Sequence, residues 1–245
     1  MRIPRVHLPG PLSDGGTIKV ADKTLHYLTR VLRLDNDSPL IVFNGQSGEY
    51  DGVLVNVSKK QAEIRVSTFR PDDRESPLHI VLAQGLAKGE KMDWIVQKAT
   101  ELGVSEIVPL FTRYSDVKLN DERAERRQHH WQEIAISACE QCGRNRLPMI
   151  HAPIALDVWM SELPPRAEAE QRLILNLAAE SHISNTVPHR AIVLVGPEGG
   201  FREDEITQAG MMGFSSWHLG PRILRAETAA VSAVSLLQAR WGDLR

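Results

Sequence analysis

The chain has 245 residues, of which 42% are hydrophobic and 24% charged; that balance buries a core and excludes a disordered polymer. A formal net charge of −2 removes any bulk electrostatic argument for nucleic acid, so RNA or DNA binding has to rest on local basic patches. No apolar run has the length to span a bilayer, Pro4, Pro9, Gly10 and Pro11 break the pattern of a signal peptide, and two cysteines make no disulfide framework, which together predict a reducing, cytoplasmic setting.

Residues 1 to about 70 read as β-rich. The run 38–43 ends at Asn44-Gly45, a turn signal. Val53, Val55 and Val57 alternate in one stretch, Ile64 and Val66 in the next. Short strands with tight turns predict a small barrel. One helix over 23–34, with Leu25, Leu28, Val31 and Leu32 at helical spacing, interrupts it. The polar, proline-flanked stretch 70–77 reads as a linker, dividing the chain into 1–71 and 72–245.

Beyond the linker, strands and helices alternate. Strands are expected at 79–83, 107–111, 173–177, 192–195 and 217–219. Helices are expected at 90–102, with Met92, Ile95, Val96, Ala99 and Leu102 on one face and Gly103 as the stop, then at 120–142, 202–211 and 226–241. Such alternation predicts an α/β domain: a parallel sheet with helices on both faces. The last helix carries Val231, Val234, Leu237 and Trp241 on one side, more apolar surface than a short sheet edge needs, which predicts a homodimer.

Two loops carry the chemistry. The apolar run 192–195 stops on Gly196-Pro197-Glu198-Gly199-Gly200-Phe201, and about twenty residues later Leu219-Gly220-Pro221-Arg222-Ile223-Leu224-Arg225 opens into the last helix. Strands that empty into glycines let main-chain groups approach a ligand without Cβ interference. Neither the phosphate-loop nor the dinucleotide fingerprint fits, and Glu198 would repel a phosphate. The ligand is therefore not a polyphosphate, and a positively charged one would gain from the acid. The second loop is apolar enough to wall an adenine. Thr228 either caps the helix or contacts ligand. On the bland alternative, Arg222 and Arg225 are solvated and Glu227 complements the helix dipole. Zinc needs more ligands than Cys139 and Cys142, and no histidine pair stands at suitable spacing (His129 and His130 are adjacent), so no metal is expected and the cysteines read as packing or as shaping a substrate groove.

These paired loops, with Arg74-Glu75-Ser76-Pro77, Lys88-Gly89-Glu90-Lys91-Met92, 97–104 and Glu140-Gln141-Cys142-Gly143-Arg144-Asn145, resemble the SPOUT class of methyltransferases. Within it the chain is similar over essentially its whole length to the RsmE family, ribosomal RNA small subunit methyltransferase E. The resemblance implies a PUA-like β-barrel, an α/β domain with a deep trefoil knot, and S-adenosylmethionine as cofactor. It also implies methylation of uridine N3 in 16S rRNA on the assembled small ribosomal subunit, by a homodimer. Another target nucleoside, or a non-catalytic assembly factor on the same fold, are the alternatives.

The resemblance places the cofactor against Leu175, Leu177, Gly196, Pro197, Glu198, Gly199, Gly200, Leu219, Gly220, Ile223, Leu224, Thr228 and Ala229. Arg225 is the candidate for stabilising a uridinate, and Glu227 or Glu198 for a general base. RNA contacts are expected from local cations: Arg2, Arg5, Arg30 and Arg33 in the barrel half, then Lys88, Lys91, Arg113, Lys118, Arg144, Arg146 and Arg222.

Overall fold

The computed structural model describes residues 3–46, 48–71, 73–115, 120–176 and 186–244. The chain forms two compact units, Met1–Glu75 with Cys139–Leu147, and Ser76–Ala138 with Pro148–Arg245.

The first unit holds strands β1 (Arg5–His7), β2 (Thr17–Ala21), β3 (Pro39–Phe43), β4 (Glu49–Val55) and β5 (Gln61–Arg70), ordered β1-β3-β4-β5-β2. Only the β1–β3 pairing is parallel. Alternation puts Val6, Leu40, Val42, Leu54, Ile64 and Val66 into one core. In β4 Leu54 is fully buried while Val53 is half-buried, because the register sets Leu54 opposite the buried Ile64 and Val53 opposite Arg65. The expected helix over 23–34 is shorter and changes winding: α1 (Asp22–His26) passes into a π-helical turn over Tyr27–Val31. The wider turn keeps Leu25 and Leu28 in the core but leaves Val31 58% exposed.

A cluster of buried charges holds the segment Cys139–Leu147 within this unit. The Arg5 guanidinium pairs with Glu49 and donates to the Arg144 carbonyl (3.1 Å) and to Asn145 Oδ1 (2.6 Å). Arg144 in turn grips the Glu75 carboxylate, with Nη2 2.5 Å from Oε2 and Nε 3.1 Å from Oε1. Glu140 accepts from the His7 N–H (3.0 Å) and the Tyr27 hydroxyl (3.3 Å).

The second unit contains β6 (His79–Gly85), α2 (Lys91–Glu101), β7 (Glu106–Phe111), α3 (Asp121–Cys142, its last four residues in the first unit), β8 (Met149–Ile150), β9 (Ile154–Ala155), α4 (Leu156–Glu162), β10 (Glu170–Leu175), β11 (Arg190–Val195), α5 (Glu203–Met211), β12 (Ser215–Trp217) and α6 (Ala226–Trp241). The sheet order is β12-β10-β11-β6-β7-β8, with β9 also on β7, and every pairing is parallel. Strands buried on both faces read as continuous apolar runs; Ile192, Val193 and Leu194 are fully buried. One core packs Leu82, Val193 and Leu173 with α2 and α6; the other packs Val81, Ile192 and Ile174 with α4 and α5. Gly103 ends α2 at φ +82°, as its place in the sequence predicts.

Two expectations need correction. The short β8, β9 and α4 were not legible, because two-residue strands carry no period. Val234, Leu237 and Trp241, read as surplus apolar surface on the last helix, are buried in the unit's own core. Val231, the fourth residue of that stripe, is half-buried, and the large apolar residue exposed on α6 is Leu236, at 50%. That face therefore supplies no argument for a dimer.

Candidate cofactor cavity at the strand tips

Parallel strands point their carboxyl ends the same way, so β10, β11 and β12 deliver their following loops to one edge of the sheet. There a cavity of about 550 Å³ opens, within the range of small-molecule sites. Its walls are Leu175 and Asn176 at the end of β10, Gly196 to Phe201 after β11, Trp217 to Leu219 at the end of β12, and Arg222 to Ala226 with Ala229 at the start of α6. Small side chains at Ala226 and Ala229 let α6 approach closely.

The cavity loop exists because glycines face one another. A Cβ at Gly85, the last residue of β6, would lie 2.5 Å from Pro197 Cδ and 2.7 Å from Pro197 N. A Cβ at Gly196 would lie 3.1 Å from the Gly200 Cα, and Gly200 itself sits at φ +71°. Gln84, fully buried, donates from Nε2 to the carbonyls of Gly85 (2.9 Å) and Gly196 (3.3 Å), fastening the loop to the neighbouring strand. Glu198 fastens its outer side. The carboxylate accepts from Lys91 Nζ at 2.6 Å and from the Lys88 N–H at 3.3 Å. Burial opposes the charge on Glu198, but these hydrogen bonds outweigh it and hold the carboxyl below its usual range.

Of the residues expected at a cofactor, Leu175, Gly196, Pro197, Glu198, Gly199, Gly200, Leu219, Ile223, Leu224 and Ala229 line this cavity, with Arg222 and Arg225 on the same walls. Both arginines are exposed, and Ile223 is 85% exposed. Leu177 lies outside the described residues, as do Arg2 and Lys118. Gly220, Glu227 and Thr228 are not among the lining residues. Thr228 is exposed and does not cap α6, whose first turn has no side-chain cap. Glu227 keeps one carboxylate oxygen buried without a hydrogen-bond partner among the described residues and stands between the lining residues Ala226 and Ala229 without lining the cavity itself.

The expected RNA cations divide in the same way. Arg5 and Arg144 are 7% and 4% exposed and committed to the ion-pair cluster of the first unit, so their expected role as RNA contacts is corrected to a structural one. Arg146 pairs with Asp73 at 3.1 Å. Lys91 is bound to Glu198 beside the cavity. Lys88, Arg33 and Arg113 are exposed, and Arg30 lines a groove of the first unit together with His26, Lys59 and Lys60. Among the described residues no cluster of His, Cys, Asp or Glu is arranged to hold a metal. Burial pushes the Cys139 thiol up to about 12, which makes it a packing residue and not a nucleophile.

Sequence reasoning missed Gln84, Gly85, Trp217 and His218. Gly85 carried the available signal, since β6 also empties into a glycine. The others are polar or aromatic residues whose place depends on which strands are neighbours.

A family model described as an RNA methyltransferase domain matches residues 74–238, and one described as an RNA methyltransferase PUA domain matches residues 20–67. Ribosomal RNA small subunit methyltransferase E of Buchnera aphidicola (subsp. Schizaphis graminum) is 35% identical over 99% of this chain and 98% of its own. The Bacillus subtilis protein of the same name is 30% identical over 96% and 94%. Among solved structures, ribosomal RNA small subunit methyltransferase E from Neisseria gonorrhoeae bound to S-adenosyl methionine is similar at a TM-score of 0.91 and 35% identity, over 100% of both chains. A methyltransferase from Legionella pneumophila in complex with bound S-adenosylmethionine is similar at 0.93 and 38%, again over 100% of both. The two-unit architecture, the glycine-walled cavity and these full-length similarities agree, and the chain belongs to the ribosomal RNA small subunit methyltransferase E family of RNA methyltransferases.

Proposed function

We propose that this protein methylates N3 of a uridine in 16S rRNA of the small ribosomal subunit, with S-adenosylmethionine as the methyl donor. The observation that carries the reading is the main-chain cavity at the tips of β10, β11 and β12, in a chain whose relatives were solved with that cofactor. Bound there, the cofactor supplies an electrophilic methyl group on a sulfonium. The chain's own residues bind and orient. Leu219, Leu224 and Ala229 offer apolar walls to an adenosine, and backbone groups of the Gly196–Gly200 loop hold the opposite wall. Uridine N3–H is a weak acid, so the site has to favour the anion. The exposed Arg225 guanidinium on the cavity wall is suited to stabilise charge on O2 or O4. Arg222 is suited to a phosphate.

The first unit then serves as a PUA-like RNA-binding module within 1–71, and the cations at its groove, Arg30 with Lys59 and Lys60, are its RNA contacts. The methyltransferase part spans 72–245. A deep trefoil knot at the cavity loops, a homodimeric state and a cytoplasmic location belong to the same proposal. Among the described residues no helix is long and apolar enough to cross a membrane. The deciding experiment incubates the protein with labelled cofactor and small subunits from a strain lacking the gene, then digests the rRNA. Labelled 3-methyluridine supports the reading; label in a ribose-methylated nucleoside or a guanine overturns it.

A further inference from the structure

The proposed reaction needs an acceptor base held flat beside the cofactor cavity, and base-modifying enzymes hold extruded bases by stacking them on aromatic or guanidinium planes. Three rings line the cavity: Phe201 and Trp217 are packed into the cores, and His218, exposed, has a contact of its own. Trp217 is 5% exposed in one core, and Phe201 packs against the other. Tyr114 is different. It follows β7 and is 51% exposed, with no ring partner among the described residues.

Its backbone is held in place. The Thr112 N–H donates to Ser115 Oγ (3.1 Å), the two hydroxyls lie 3.0 Å apart, and the Ser115 N–H returns to the Thr112 carbonyl (3.1 Å). The Arg113 N–H donates to the buried Glu205 carboxylate at 2.9 Å. Tyr114 also abuts the cavity loop. A Cβ at Gly199 would meet Tyr114 Cβ at 2.7 Å and Cγ at 3.4 Å. Gly199 thus lacks a side chain so that Tyr114 can lie against the loop that walls the cavity.

We propose that Tyr114 is the stacking platform for the acceptor uracil, an inference that rests on the methyltransferase reading. Uracil is neutral and small and offers two π-faces, and an exposed ring set against Gly199, just outside the residues that line the cavity, recognises that chemistry without base-specific hydrogen bonds.

The test compares the parent with Y114F, Y114L and Y114A on small subunits from a strain lacking the gene, alongside calorimetric titration with S-adenosylmethionine. Y114F should keep the parent's kcat/KM for small subunits. Y114L and Y114A should lose roughly 5- to 150-fold, while cofactor Kd moves less than about twofold. Y114L at parental activity would overturn the stacking role, since leucine fills space without a π-face. Equal loss of cofactor affinity and methyl transfer in Y114A would also overturn it, showing that the ring only props Gly199. A parent that leaves small subunits unlabelled removes the methyltransferase reading itself, and the acceptor site with it.

Discussion

Gly85→Ala tests whether the cavity depends on two strand ends passing without side chains. The added Cβ would lie 2.5 Å from Pro197 Cδ, 2.7 Å from Pro197 N and 3.1 Å from the Gly196 carbonyl carbon, where ordinary contact begins at 3.4 Å. The loop must therefore retreat by about 0.9 Å, and two of the three obstructing atoms are backbone, so no rotamer change relieves the clash. Retreat also stretches the Gln84 Nε2 hydrogen bond to the Gly196 carbonyl, already 3.3 Å long, and this amide is fully buried. Overpacking of this kind costs about 1–3 kcal/mol of stability. Because Gly196 and Pro197 are cavity walls, S-adenosylmethionine affinity should fall about tenfold or more, equivalent to about 1.4 kcal/mol. Calorimetric titration measures the affinity and thermal denaturation the stability. Gly210→Ala is the control, in α5 with nothing within 4 Å of its Cβ; it should leave cofactor binding intact and raise stability by up to about 1 kcal/mol. Parental affinity in Gly85→Ala would refute the account of the loop.

Three further substitutions probe separate parts. Glu106 accepts from His151 (2.8 Å) and His79 (2.7 Å), and these two hydrogen bonds, against the opposing effect of burial, hold its carboxyl well below the usual carboxylate range. A depressed folded pKa means stability that is present above the unfolded value, near 4.3, and lost as pH falls below it. Glu106→Gln should be less stable at pH 7, by about 2 kcal/mol, and the gap should begin to narrow as pH falls below about 4 and go on narrowing with further acid; a gap that stays constant with pH would contradict this. Arg225→Ala should lower kcat by about a hundredfold with little change in cofactor Kd, since oxyanion-type stabilisation acts on the developing charge; parallel loss of both would show that the arginine holds cofactor. Arg144→Met leaves Glu75 without its bidentate partner at a largely buried site and should cost about 3–5 kcal/mol by chemical denaturation. If it instead weakens small-subunit binding at unchanged stability, the ion-pair role is wrong.

Local pattern carried much of this molecule. Gly103 stops α2 where a left-handed residue is required, and the apolar runs of β6, β7 and β11 announce strands covered on both faces. Gly196 and Gly200 mark a loop that only glycine can close. Arg5 and Arg144 show the opposite case. An arginine in a sequence reads the same whether it meets solvent or a buried carboxylate, and Glu49 and Glu75 lie 44 and 69 residues away from their partners. Val234, Leu237 and Trp241 failed for a related reason: an apolar stripe says that a helix face is covered, not by what.

By itself the sequence determined where the longer strands and helices of the α/β unit run and where main chain lies bare, because period and glycine conformation are properties of neighbours in the chain. Only the tertiary structure decided that β6 lies beside β11, so that Gly85 and Gln84 shape a loop more than a hundred residues later, and that Tyr114 lies against Gly199. Strand order and ion-pair partners join residues distant along the chain, and no local pattern encodes which of them meet.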